Sequence, residues 1–240
     1  MTTYLLVHGS WHSGESWKRV APLLAEAGHR VLAPSLTGYG DKIDLAGPDV
    51  GLDTHIADIA DLIVADDLRD VVLVGHSYAG LVVTAVADRV PERIGRIVYL
   101  DAMVPQDGEN AIDIMPALQL LVDAALASAN GWRIPPLPEL PAPFGLFGVT
   151  DPTDIAWLRK TLTDQPVDCL RQRVKLTNPA ADTIPRTHIH CTVAPEGFER
   201  RPVPAVQPNG SPADVRELPT GHDCMITMPR ELAAILIELS

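Results

Sequence analysis

The stretch LRDVVLVGHSYAGLVV, Leu68 to Val83, decides the fold. Val71, Val72, Leu73 and Val74 form a short β-branched apolar run without polar alternation, the pattern of a central strand buried on both faces of a parallel sheet. Gly75-His76-Ser77-Tyr78-Ala79-Gly80 then sets small residues on both sides of one serine, and Leu81 to Arg89 reads as a helix. A chain that turns from strand to helix so abruptly strains the middle residue, and small neighbours relieve the crowding. Ser77 sits at that point with its hydroxyl exposed. Alone, the motif also fits a helix N-cap after a glycine turn; the apolar strand before it and the helix after it favour a nucleophile.

Upstream, Tyr4 to Val7 is a first strand, ending in the glycine-rich loop His8-Gly9-Ser10-Trp11-His12-Ser13-Gly14. A helix from about Ser16 to Ala27 stops at Gly28 in the C′ position. Arg30 to Leu36 is the next strand, and Leu52 to Asp67 is a helix with Ile56, Ile59, Ala60 and Ile63 on one face. Arg96 to Leu100 is another strand, ending at Asp101. Strand and helix alternate as in a mostly parallel doubly wound α/β sheet. From Ala102 to Arg186 the texture changes: Leu118–Ala127 and Asp154–Leu162 read as helices, and Ile134 to Pro143 carries five prolines. No strand is expected there. The block reads as a lid, with Phe144, Leu146, Phe147 and Trp157 as its core or as pocket wall. Strands resume at Thr187–Val193 and Asp214–Leu218, before a closing helix Arg230–Leu239. The division is thus one domain, with a core of 1–101 and 187–240 and a lid of 102–186.

The 31 Asp plus Glu against 19 Lys plus Arg give a net charge of −12, which disfavours nucleic acid and anionic membranes. Asp53, Asp58, Asp61, Asp66, Asp67 and Asp70 read as the solvated face and exit of one helix. The N-terminus lacks the features of a signal peptide, and no apolar stretch reaches the length of a membrane span. Cys169, Cys191 and Cys224 are few and widely spaced, so we expect buried small hydrophobes in a reducing cytoplasm. There is no phosphate-binding glycine loop, so no nucleotide cofactor is expected. His188 and His190 share a strand face, but no carboxylate or cysteine stands at a matching spacing, so no metal is expected.

Pro219-Thr220-Gly221-His222-Asp223 follows the last strand and puts His222 where a general base belongs in this chain order. With His8 to Trp17, Gly75 to Gly80 and Gly221-His222 in place, the chain resembles the α/β-hydrolase superfamily over nearly its whole length. It is most similar to the small branch of plant methylesterases, salicylate-type esterases and hydroxynitrile lyases. Its one motif departure is Ala79 in place of a glycine. The resemblance implies a catalytic Ser77, a His222 base and an oxyanion hole made by the N–H groups of Ser10 and Tyr78. Gly9, Trp11 and His12 are pocket-lining candidates.

The relatives carry the acid just after the penultimate strand, where this chain reads Val193-Ala194-Pro195-Glu196. Two carboxylates remain for the role: Asp101, at the strand end used by some lipases of this fold, and Glu196. Asp223 should point elsewhere. The reading is a serine hydrolase acting through an acyl-enzyme on a small to medium carboxylic ester, a small-molecule partner, with a homodimer left open. The rivals are a lyase, cyclase or dehydratase on the same scaffold, and a ligand-binding receptor with a decayed triad, which the missing aspartate favours. Hydroxynitrile lyases carry threonine at the position of Gly9 and lysine after the histidine. Here Gly9 should leave room for an oxyanion, and Asp223 should oppose a cyanide anion.

Overall fold

The computed structural model describes residues 1–240. In the first half β1 (Thr3–Val7), α1 (Ala21–Glu26), β2 (Arg30–Leu32), α2 (Leu52–Ala65), β3 (Val71–His76), α3 (Ala79–Arg89) and β4 (Ile94–Leu100) alternate. An insert follows, built from α4 (Ala111–Ile114), α5 (Leu118–Ala127), β5 (Arg133–Ile134), α6 (Pro152–Thr161), β6 (Gln165–Pro166) and α7 (Asp168–Arg171). The core then resumes with β7 (Arg186–Cys191), β8 (Asp214–Leu218), α8 (Cys224–Thr227) and α9 (Pro229–Glu238). Six parallel strands run in the order β2-β1-β3-β4-β7-β8. No helix is long and apolar enough to cross a membrane.

Alternation along β3 explains why its run is apolar at every position. Val71 and Leu73 join the core on the α2 and α3 side, whereas Val72 and Val74 join the core on the α1 and α9 side. All four are buried, and full burial of such a side chain contributes about 1.5–3 kcal/mol. Substituting a charge there would open both layers at once.

Several elements are shorter than their sequence patterns predict. The expected Ser16–Ala27 helix is a 3₁₀ turn at Gly14–Trp17 followed by α1, because Pro22 has no N–H and its ring would meet the carbonyl one turn back. The expected Arg30–Leu36 strand stops at Leu32: Pro34 cannot donate to a ladder, and the Leu36 N–H is donated to His8 Nε2 at 3.0 Å. Contrary to expectation, the insert contains strands. β5 and β6 pair antiparallel over two residues each, and Pro166 fits because a two-stranded sheet has only edges. Nor is the acidic face of α2 wholly solvated, since Asp58 accepts from Thr37 N at 2.6 Å and Thr37 Oγ1 at 2.9 Å.

Candidate active site

Four loops at the carboxyl ends of β1, β3, β4 and β8 meet at one cavity of about 720 Å³, onto which Ser10, Trp11, Ser77, Asp101 and His222 open. Ser77 lies between β3 and α3 with φ +57°. Its N–H donates to Leu100 O at 3.2 Å, and its carbonyl accepts from Gly80 N and Met103 N, so the end of β4 holds the turn in place. A Cβ on Gly80 would lie 1.9 Å from Met103 O, so only glycine permits that approach. Trp11, Asp101 and Phe147 also have positive φ and also line the cavity, so four of the six such non-glycine residues gather here. Backbone strain of this kind persists only where surrounding contacts over-determine it, and it clusters at functional sites.

Of the two candidate acids, Asp101 meets His222. His222 Nδ1 lies 2.6 Å from Asp101 Oδ2. The other oxygen of Asp101 accepts from Cys191 N at 3.1 Å, Arg200 Nε at 3.0 Å and Arg200 Nη2 at 2.6 Å. Burial alone would raise the Asp101 pKa, but the hydrogen bonds and charges of His222 and Arg200 outweigh it and hold the carboxyl well below the usual carboxylate range. Glu196 is exposed and makes no contact with His222.

Ser77 Oγ and His222 Nε2 are not hydrogen-bonded to each other, though both face the cavity; such bonds are often long before substrate binds. Beneath them, the His76 ring packs against His222 with centroids 4.5 Å apart at a 42° tilt and donates from Nε2 to His222 O at 3.1 Å. Burial lowers the His76 pKa to about 3, so this ring is neutral.

The N–H groups of Ser10 and Tyr78 have no acceptor within the protein. The peptide ahead of Ser10 is fixed by His8. Its Nε2 accepts from Leu36, so Nδ1 carries the proton and donates to Gly9 O at 2.9 Å. The Tyr78 ring points into the core, its hydroxyl 3.0 Å from His55 Nδ1.

Two pocket-lining expectations fail. Gly9 lies under Ser77, where an added Cβ would come 2.8 Å from Ser77 Cβ, so it packs against the turn instead of making room for an oxyanion. His12 is 3% exposed and sits behind the loop, paired with Asp223. Asp223 makes no hydrogen bond to His222, as expected, but it is fully buried, so its charge does not face the cavity as the argument against a cyanide anion required. Trp11 does line the cavity.

The insert contributes to the cavity lining and hydrogen-bonds to both flanking loops. Trp11 donates from Nε1 to Ile134 O at 3.0 Å, and Asp223 N donates to Phe147 O at 2.8 Å. Met103, Leu118, Phe144 and Phe147 form an apolar wall, whereas Leu146 belongs to the core and Trp157 lies under Lys18 Nζ at 3.4 Å. Arg186, His188 and His190, alternate residues of β7, line the opposite side. Burial lowers the His188 pKa to about 4. Sequence reasoning missed the Arg200 contact, since nothing periodic marks its loop. The alternation at 186, 188 and 190 was readable, but only the fold shows that it faces the cavity.

Comparison with known proteins agrees with this architecture. The model of the alpha/beta hydrolase family matches residues 4–235. A carbendazim hydrolyzing esterase from Nocardioides sp. (strain SG-4G) is 36% identical over 248 residues, covering 100% of both chains. Salicylic acid-binding protein 2 of Nicotiana tabacum is 25% identical, covering 99% of this chain and 96% of its own. Among solved structures, an extracellular alpha/beta-hydrolase from a Paenibacillus species superposes with a TM-score of 0.78 at 26% identity, over 99% of this chain and 98% of that one. The chain belongs to the α/β-hydrolase family, in the branch that includes this esterase and the plant methylesterases.

Proposed function

We propose that the protein is a serine esterase that cleaves a small to medium carboxylic ester through an acyl-enzyme. The observation that carries this reading is the strained Ser77 turn opening on the same cavity as His222, whose Nδ1 is held by Asp101 at 2.6 Å. His222 Nε2 takes the Ser77 proton as Oγ attacks the ester carbonyl, and the N–H groups of Ser10 and Tyr78 receive the oxyanion. Collapse breaks the bond to the alcohol, which leaves with the proton from His222. Water, deprotonated by the same imidazole, then releases the acid.

The cavity volume and the apolar wall of Met103, Leu118, Phe144 and Phe147 support a substrate of modest size. The esterase relatives support ester cleavage as the reaction class. The Asp101 contact to His222 supports a complete triad over the decayed one of a receptor. Against a lyase, a threonine at position 9 would collide with Ser77, and no lysine follows His222. Three free, buried cysteines fit a reducing compartment and support a cytoplasmic location.

The test is a pair of assays. p-Nitrophenyl acetate or butyrate should turn over in a Ser77-dependent way, and mandelonitrile should release no cyanide above background. Cyanide release without ester turnover would overturn the proposal in favour of a lyase.

A further inference from the structure

Behind the site, a buried imidazole and a buried carboxylate that the chemistry above does not use join the two loops that carry it. His12, on the oxyanion loop, is 3% exposed, and Asp223, next to His222, is fully buried. His12 Nε2 lies 2.9 Å from Asp223 Oδ2, and His12 Nδ1 lies 2.7 Å from Ser10 O. Both ring nitrogens thus face oxygens that only accept. The ring satisfies both by carrying two protons, so the pair is ionic. Burial opposes the charge on His12, but Asp223 and the Ser10 carbonyl raise its pKa above the ordinary value. On Asp223 burial is likewise outweighed, chiefly by the charge and hydrogen bond of His12, so its pKa is lowered.

A buried ion pair is weak evidence for stability, because desolvation cancels much of its attraction. Its orientation points to another role. The positive end is tied to the carbonyl of Ser10, whose N–H faces the forming oxyanion. The negative end lies by the base: Asp223 has an oxygen within 4.8 Å of a His222 ring nitrogen, and its Oδ1 is 3.9 Å from His76 Nε2. Asp223 Oδ1 has no hydrogen-bond partner, so its charge is not spent on a donor. As Ser77 attacks, negative charge grows at the oxyanion hole and positive charge at His222. The dipole from His12 to Asp223 runs against that separation and is already in place before it develops.

We propose that His12 and Asp223 are positioning residues whose buried ion pair aligns the oxyanion loop with the His222 loop and stabilises the transition-state charge separation. The proposal rests on the esterase reading. The charged groups facing His222 are Asp101, backed by Arg200, and Asp223, backed by His12. His76 is neutral, and the thiols of Cys191 and Cys224 flank the same loop. Replacing Asp223 by asparagine removes one of these two negative charges and leaves Asp101 in place, and His12 then loses its second proton.

The experiment combines nitrogen-15 NMR of the histidines with the kinetics of two variants. In the wild type at about pH 7, just above the ordinary histidine value near 6.5, His12 should carry protons on both ring nitrogens. Asp223→Asn should lower kcat at least about tenfold with KM little changed, because neither residue lines the cavity. The acid limb of kcat/KM should move to lower pH, as the charge that favoured the imidazolium is gone. The double variant His12→Gln/Asp223→Asn keeps polar groups at both positions without charge. Its melting temperature should recover while kcat stays low.

A neutral His12 in the wild type would overturn the proposal, whatever the variants do. So would a folded Asp223→Asn enzyme with unchanged kcat and acid limb, or a double variant that regains full kcat. Wild-type protein lacking Ser77-dependent ester turnover would instead refute the esterase reading, so the two failures are distinct.

Discussion

Replacing Asp101 by asparagine should lower kcat about ten-thousand-fold, and the surroundings of the carboxylate explain why. Oδ1 accepts from Arg200 Nε, Arg200 Nη2 and Cys191 N, which are all donors. An amide NH₂ turned that way would face three N–H groups. The amide oxygen therefore stays there, and the NH₂ takes the place of Oδ2, 2.6 Å from His222 Nδ1. An NH₂ only donates, so Nδ1 must give up its proton and Nε2 must hold one. That tautomer cannot accept the Ser77 proton, and the imidazolium loses its carboxylate as well. A ten-thousand-fold loss corresponds to about 5.4 kcal/mol of transition-state stabilisation. The assay is p-nitrophenyl butyrate hydrolysis across pH with thermal melting as a control for folding; KM should change little. A folded variant keeping more than about a tenth of kcat would refute both the tautomer argument and the role of Asp101.

Other outcomes follow from the same contacts. Arg200→Ala removes two charge-assisted bonds to Asp101 from a side chain that is 29% exposed, while Asp101 keeps Cys191 N and His222. The cost should be about 2 kcal/mol, lowering Tm by about 4–8 °C, and the acid limb of kcat/KM should move up because the Asp101 charge then acts on His222 alone. An unchanged Tm would contradict it. Asp101 and Asp223 both have pKa values held down by folding, so each contributes stability that is fully present above the unfolded value near 3.9 and is lost as pH falls through the folded one. His12 has the opposite sign: its stabilisation is complete below the unfolded value near 6.5 and is lost as pH rises through the raised folded value. Urea titrations should show the advantage of wild type over Asp101→Asn shrinking below about pH 4, and a constant difference down to pH 2 would refute the linkage. Glu196→Gln, on an exposed side chain, should leave kcat within about twofold.

How far the sequence went depended on how local the information was. Val71 to Val74 and the small residues around Ser77 specify strand, turn and helix within one short stretch, and the structure matches that reading closely. The closing strand Asp214–Leu218 is equally local. The choice between Asp101 and Glu196 is not, because it turns on a contact between residues 121 positions apart. Arg200 was invisible for the same reason. His12 and Asp223 are each read singly from sequence, one as a pocket residue and one as a charge that would oppose a cyanide anion, and only the fold joins them across 211 residues. β5 and β6 span two residues each, too short for any period to register. Pro22 shortened α1, and Pro34 with the His8 ring shortened β2, through specific atoms that propensity does not count.

The central claim is that Ser77 becomes covalently acylated. Rapid mixing with p-nitrophenyl butyrate, an acid quench and peptide mass spectrometry test it directly. The account predicts one acyl group, on the peptide containing Ser77, formed with the burst of p-nitrophenol and absent from Ser77→Ala and His222→Ala. Full turnover in Ser77→Ala, or an acyl group on any other residue, would contradict it.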